Sequence, residues 1–223
     1  MDFIDTILFD WDGTLVDSAQ SAFDAFRKAF CDLGIPVEYE LYERVYSPNW
    51  YSIYQALHLP REKWQAADDL WIQHYGQKVS GLVQGGAHVL DELRRRHYDL
   101  GIVTSGSRSR IFREISALDL SGIFQIVVCN EDVLNKKPHP EGLETAMVRM
   151  NKRAEVCCYV GDSPDDIEMG RRAKIRTVGI RGRYPSSKKL DSANPNYCLE
   201  SITQLLDCFK KATVHGTNYP SLH

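Results

Sequence analysis

Asp10-Trp11-Asp12-Gly13-Thr14-Leu15-Val16-Asp17-Ser18 closes a run in which Ile4, Ile7, Leu8 and Phe9 supply the apolar side chains. A short run of this character reads as a strand buried on both faces, the kind found in parallel sheets covered by helices. Two carboxylates spaced i, i+2 at the end of such a strand can face one site, and Gly13 lets the chain turn sharply away. Taken alone, the stretch also describes an ordinary acidic turn. The rest of the chain has to decide between the two.

Working outward, residues 100–104, 125–129, 156–160 and 177–180 repeat the apolar strand character. Helix-period segments at 87–97, 108–118, 141–150, 165–173 and 201–212 fall between or after them. Strands alternating with helices predict an α/β fold, a mostly parallel sheet flanked by helices. Residues 17–84 break the rhythm, with helical periodicity alone and Pro36, Pro48 and Pro60 dividing them into about four helices. This insertion holds 12 of the 23 aromatic residues in under a third of the length. A small bundle needs bulky residues for its own core, and some of them can also line a substrate pocket. Residues 213–223 read as a weakly ordered tail.

In an open parallel sheet, ligands bind at the carboxyl ends of the strands, and polar groups collect at those ends here. Thr104-Ser105-Gly106-Ser107 offers small hydroxyls and backbone amides ahead of a helix, a cradle suited to phosphate. Lys136-Lys137-Pro138-His139-Pro140 places lysines in a backbone stiffened by proline. Gly161-Asp162-Ser163-Pro164-Asp165-Asp166 returns carboxylates to a strand end. Each motif alone is matched by a bland reading: a helix cap, a surface turn, a dipole-stabilised helix start. Four in order, each at a strand end, are hard to obtain by chance.

Together the four motifs resemble the haloacid dehalogenase-like phosphohydrolases. Asp10 through Ser18, Ile102-Val103-Thr104, Lys137-Pro138 and Gly161 through Asp166 match the family's pattern in turn. The likeness extends to about residue 212, and a helical insertion after the first motif resembles the phosphoglycolate-phosphatase and β-phosphoglucomutase branch. It implies a Rossmann-like catalytic core of residues 1–16 and 85–212, with an inserted α-helical cap at 17–84. It also implies a Mg²⁺-dependent phosphatase acting on a small phosphorylated metabolite. Asp10 would be the nucleophile that forms an aspartyl-phosphate, and Asp12 the acid that protonates the leaving oxygen and then the base for water. Mg²⁺ would sit on Asp10, the Asp12 carbonyl oxygen and Asp162, with Asp166 holding the metal shell. Thr104 and the Ser105 amide would hold phosphoryl oxygens, and Lys137, rather than Lys136, would neutralise charge. From the residues themselves, Trp50 and Tyr51 beside Asn49 are the candidates to select the substrate, with His74 and Tyr75 also in reach and packing within the cap the blander reading for each. Asp12 separates this pattern from the dehalogenases, whose ester chemistry at carbon needs no such leaving-group acid. Trp11 is bulkier than the family's usual residue between the two acids, and strand alternation points it away from the site. The second linker, Leu82 through Gly86, lacks the proline common in relatives. A phosphosugar mutase shares every core residue and stays open as an alternative, as does a phospho-accepting signalling module.

Composition excludes other classes. Lys and Arg number 27 against 30 Asp and Glu, a net charge of -3 with no long basic run, so neither nucleic acid nor an anionic membrane is the expected partner. Arg94-Arg95-Arg96 reads as the solvated end of a helix, and Arg181 and Arg183 as a surface loop. No apolar run is long enough to span a bilayer, and the N-terminal residues lack a signal peptide's basic start and apolar core. Six cysteines without C-x-x-C spacing read as reduced thiols with packing roles in a cytoplasmic protein. The sequence leaves substrate identity and oligomeric state open.

Overall fold

The strand β1, Thr6–Phe9, lies at the centre of the sheet because all four of its residues are apolar or small and all are buried. In the computed structural model, which describes residues 4–76 and 79–209, it is joined by β2 (Asp99–Val103), β3 (Ile126–Val128), β4 (Cys157–Gly161), β5 (Arg176–Ile180) and β6 (Tyr197–Leu199). The order across the sheet is β3-β2-β1-β4-β5-β6, and every pairing is parallel. Leu8 is opposite Gly101 on one side and Tyr159 on the other, so β1, β2 and β4 end level with one another. The strand order reverses between β1 and β4, the place where an open parallel sheet leaves a crevice.

Alternation along β1 sorts the core into two layers. Ile7, Phe9 and Trp11 pack with Val89, Leu90 and Leu93 of α5 (Gly86–Arg95) and Ile111 and Ile115 of α6 (Arg108–Ala117). Leu8 faces the opposite layer, with Leu143, Ala146 and Met147 of α7 (Glu141–Arg149) and Met169 of α8 (Pro164–Arg172). Cys129, Cys157 and Cys158 are buried, while Cys31 and Cys198 are exposed, so the packing role expected of all six cysteines does not extend to those two. The helix expected at 201–212 is shorter: a 3₁₀ turn at Ile202–Gln204 leads into α9, Leu205–Cys208. Arg96 at the end of α5 donates to the carbonyls of Leu206 and Phe209, and so docks this segment rather than extending into solvent. The tail expected at 213–223 lies outside the described residues.

Between β1 and α5 come α1 (Ala19–Asp32), α2 (Tyr39–Val45), α3 (Trp50–Ala56) and α4 (Trp64–Tyr75). Their aromatics make a core of their own: Phe26 stacks on Phe30 at 4.3 Å and on Trp50 at 5.7 Å, with Tyr42, Ile53 and Tyr54 around them. The chain enters and leaves this layer side by side, for Asp17 N–H donates to the Gly81 carbonyl and Val83 N–H to the Leu15 carbonyl. A smaller cluster of Ala22, Ala25, Tyr75 and Tyr184 joins the layer to the sheet.

Phe30 is 1% exposed at the centre of the helical layer, and Phe30→Ala should cost about 3–5 kcal/mol. Hydrogen exchange is expected to show the loss in α1–α4, with β1 and β4 still protected. Equal loss of protection in the strands would mean the two cores unfold as one.

Candidate active site

The level ends of β1, β2 and β4 bring Asp10, Thr104 and Asp162 to one edge of the sheet. Lys137 reaches the same place from the loop after β3. Its Nζ lies 2.6 Å from Asp10 Oδ1 and 2.7 Å from Asp166 Oδ1, and its side chain is 8% exposed. Tyr159 supports this arrangement from below, its hydroxyl 2.8 Å from the Val103 carbonyl and 3.2 Å from Asp166 Oδ1, with one proton to give to either. Ser163 and Asp166 form a reciprocal cap at the start of α8, which occupies Asp166 Oδ2 with the Ser163 N–H and Oγ. Lys136, by contrast, donates to the carbonyls of Asn130 and Val133.

Asp10, Lys137, Ser163 and Asp166 line a cavity of about 80 Å³. The structure brings Asp10, Asp12, Thr104, Ser105, Lys137, Asp162 and Asp166 to its walls, with Trp50 of the helical layer opposite. Tyr51 is not among them. It is 48% exposed, stacks on Trp64 at 4.9 Å and lines a second, outer cavity of about 430 Å³. Arg181 pairs with Asp191 and Glu200, and Arg183 with Asp17, all away from the inner cavity. Thr104 Oγ1 accepts from the Gly106 N–H at 3.1 Å, which leaves its hydroxyl hydrogen to donate. Gly13 is required by geometry. Its φ is +82°, and a Cβ there would lie 2.4 Å from Asp162 Oδ2 and 2.7 Å from Tyr184 Cδ2.

The electrostatics are lopsided. Burial drives Asp10 up, Lys137 opposes that and Asp166 adds to it, leaving its carboxyl raised to about 7. Asp162 is pushed well above the carboxylate range by burial and by repulsion from Asp166 and Asp10. Burial alone would lower Lys137, but Asp10 and Asp166 outweigh it and keep the ammonium charged. Asp12 goes the other way: burial would raise it, yet Arg110 and Ser18 hold it below the ordinary carboxylate value.

A divalent cation fits this site. Oxygens of Asp10, Asp162 and Asp166 lie within 4.8 Å of one another. Asp162 Oδ2 is buried without a hydrogen-bond partner, a costly state for a carboxylate unless a cation meets it. An all-oxygen donor set of this charge suits Mg²⁺.

Two contributors, Arg110 and Tyr184, were hidden from the sequence. Arg110 on α6 holds both Asp12 oxygens, at 3.0 Å and 2.5 Å. Its neighbour Glu114, at i+4, has the spacing of a solvated ion pair, whereas Glu114 is fully buried. Tyr184, in the loop after β5, meets Ser18 Oγ at 3.0 Å and lines the cavity, as does Tyr75 of α4. No periodic signal marks Tyr184, whereas Tyr75 shares a helical face with Trp64, Ala67 and Trp71.

Residues 7–180 match the family model described as haloacid dehalogenase-like hydrolase. A phosphoglycolate phosphatase of Photorhabdus laumondii is 31% identical over 213 residues, covering 91% of each chain. A pyrophosphatase PpaX of Oceanobacillus iheyensis is 27% identical, covering 91% of this chain and 95% of the relative. Among solved structures, a haloacid dehalogenase-like family hydrolase from Streptococcus pneumoniae superposes with a TM-score of 0.82 at 24% identity, covering 94% of this chain and 100% of its own. At that identity the likeness shows the fold alone.

The raised Asp10 carboxyl predicts how the metal-free protein responds to pH. Its folded pKa lies above the unfolded value, so the native state holds the extra proton between the ordinary carboxylate range and about pH 7. Stability is therefore lost as pH rises through that window. In chelator, Tm should be lower at pH 8 than at pH 6, and Mg²⁺ should raise Tm more at pH 8. A chelated Tm that climbs from pH 6 to pH 8 would contradict the shift.

Proposed function

We infer the reaction from one premise: the chain belongs to the haloacid dehalogenase-like hydrolase family and is a phosphatase. We propose that it hydrolyses a small phosphorylated metabolite in two steps through an aspartyl-phosphate, as a cytoplasmic enzyme. The observation that carries this reading is the buried Lys137 ammonium shared between Asp10 and Asp166, on the wall that also bears Thr104 and Ser105. A carboxylate is a poor partner for a phosphate dianion unless positive charge screens the approach, and Lys137 supplies that charge at Asp10 itself.

In the first step the Asp10 carboxylate attacks phosphorus, the bond to the leaving oxygen breaks, and Asp12 delivers the proton that oxygen needs. In the second, a water oxygen bonds to phosphorus, the Asp10–phosphorus link breaks, and Asp12 takes the water's proton. Thr104 and the Ser105 amide orient the phosphoryl oxygens. Asp10, the Asp12 carbonyl oxygen and Asp162 would hold Mg²⁺, with Asp166 supporting them through Lys137 and Ser163. When bound, the ion supplies charge neutralisation for the phosphoryl oxygens. We take residues 17–84 as a cap over the site, with Trp50 and the outer cavity contacting the organic part of the substrate.

Asp10→Asn should lower turnover by more than about a thousandfold with the fold intact. The measurement is phosphate release from a panel of phosphorylated metabolites in Mg²⁺. Chelator should silence the wild type and Mg²⁺ restore it. Substantial turnover by the purified variant would overturn the assignment of Asp10, and isomerised substrate without stoichiometric phosphate release would replace hydrolysis with a mutase reaction.

Trp50 lines both the inner and the outer cavity, Tyr51 the outer one alone. Trp50→Ala should therefore change kcat/KM for the preferred metabolite more than for a small artificial ester, and by more than Tyr51→Ala does. Equal proportional losses on both esters would reduce Trp50 to a packing residue.

A further inference from the structure

Trp11, between the two acids of the first motif, is fully buried on the side of the sheet away from Lys137, and its indole N–H donates to Glu114 Oε2 at 2.7 Å. Glu114 is itself fully buried and accepts from Arg110 Nη1 at 3.3 Å and 3.5 Å. Arg110 then closes on Asp12 with a fork of two bonds, Nη1 to Oδ1 and Nη2 to Oδ2. Adjacent residues of one tripeptide are thus tied through two side chains of α6. The tie is built into its surroundings. Gly106 leaves room for it, since a Cβ there would lie 2.6 Å from Arg110 Nη2. The Tyr75 ring of α4 covers the guanidinium, 5.4 Å from its carbon.

Both Asp12 oxygens are met by donors, with Ser18 Oγ adding a third bond to Oδ1 at 2.7 Å. A carboxyl group ringed by donors presents itself as a proton acceptor. A planar fork fixes the plane of a carboxylate, which a single lysine ammonium does not.

We propose that Arg110, anchored by Glu114 and Trp11, is a positioning residue that fixes Asp12 as the proton acceptor for water in the second step. The inference rests on the two-step reaction proposed above. In that step the water oxygen bonds to phosphorus, Asp10 is released as a carboxylate, inorganic phosphate leaves, and the water's proton passes to Asp12.

The steps separate on p-nitrophenyl phosphate, whose leaving group departs without a proton. Wild type, Arg110→Met, Arg110→Lys and, as a control, Asp12→Asn are mixed with it in Mg²⁺ by stopped flow. Arg110→Met should lower kcat by about 10- to 100-fold and lower KM in step, leaving kcat/KM within about threefold. A burst approaching one nitrophenolate per enzyme should precede the slow phase, because phosphoenzyme accumulates. Arg110→Lys should fall between this variant and wild type. Removing Arg110 strips buried Glu114 of the nearer of its two cations, leaving Arg113 at 3.8 Å, so the double variant Arg110→Met/Glu114→Gln serves if the single one does not fold, with the same burst expected. A burst in Asp12→Asn with none in the Arg110 variants, or a raised KM at unchanged kcat, would overturn the positioning role alone. No burst in Asp12→Asn either would remove the phosphoenzyme reading, and this inference with it.

Discussion

One buried ammonium carries the site. Lys137 stands between Asp10 and Asp166, with Asp162 beside them, so three sequestered carboxylates share a single fixed cation. Removing either partner of a buried pair leaves an uncompensated charge, at a cost of about 3–5 kcal/mol, which makes the lysine as much a structural element as a chemical one. Even with it in place the acids outnumber the positive charge, and the surplus falls on Asp162, whose Oδ2 finds no donor. The fold tolerates that deficit because it is a vacancy of charge that a divalent cation or a proton can fill. Sheet topology produces the arrangement: β1 and β4 are neighbours running in the same direction, so whatever follows each strand arrives at the same edge.

The edge that bears the candidate site was legible in the sequence for the same reason. Asp10, Thr104 and Asp162 each terminate an apolar run, and a run buried on both faces leaves a visible boundary where polar residues begin. Lys137 was legible through its proline neighbour. What escaped were residues whose environment depends on tertiary packing. Arg110 and Glu114 have the spacing of a solvated ion pair, and only the approach of Trp11 from the sheet buries the glutamate. The strand β6 was missed because its three residues are largely exposed and lie at the sheet's edge, where no apolar run is needed. Trp11 itself was read correctly as facing away from the site, yet the reading stopped at direction and did not reach its partner.

The two acids of the first motif therefore live in different fields although one residue separates them. Asp10 is raised by burial among other acids, while Asp12, offered a guanidinium, is lowered. Environments that push neighbouring carboxyls apart are how one short segment can supply both a nucleophile and a proton carrier. The separation depends on α6, which supplies Arg110.

The paired linkers bear on how such a chain can change over time. Asp17 and Val83 are hydrogen-bonded to the opposite linker, so the ends of the inserted layer are stapled together at the sheet. A segment whose two ends are already held side by side imposes no length on what lies between them. Helices could be lost, gained or exchanged within 17–84 without moving β1 or α5, and the residues that meet the substrate could drift while those that meet phosphorus stay fixed. Modularity of this kind needs no flexible joint, only an entrance and an exit at the same door.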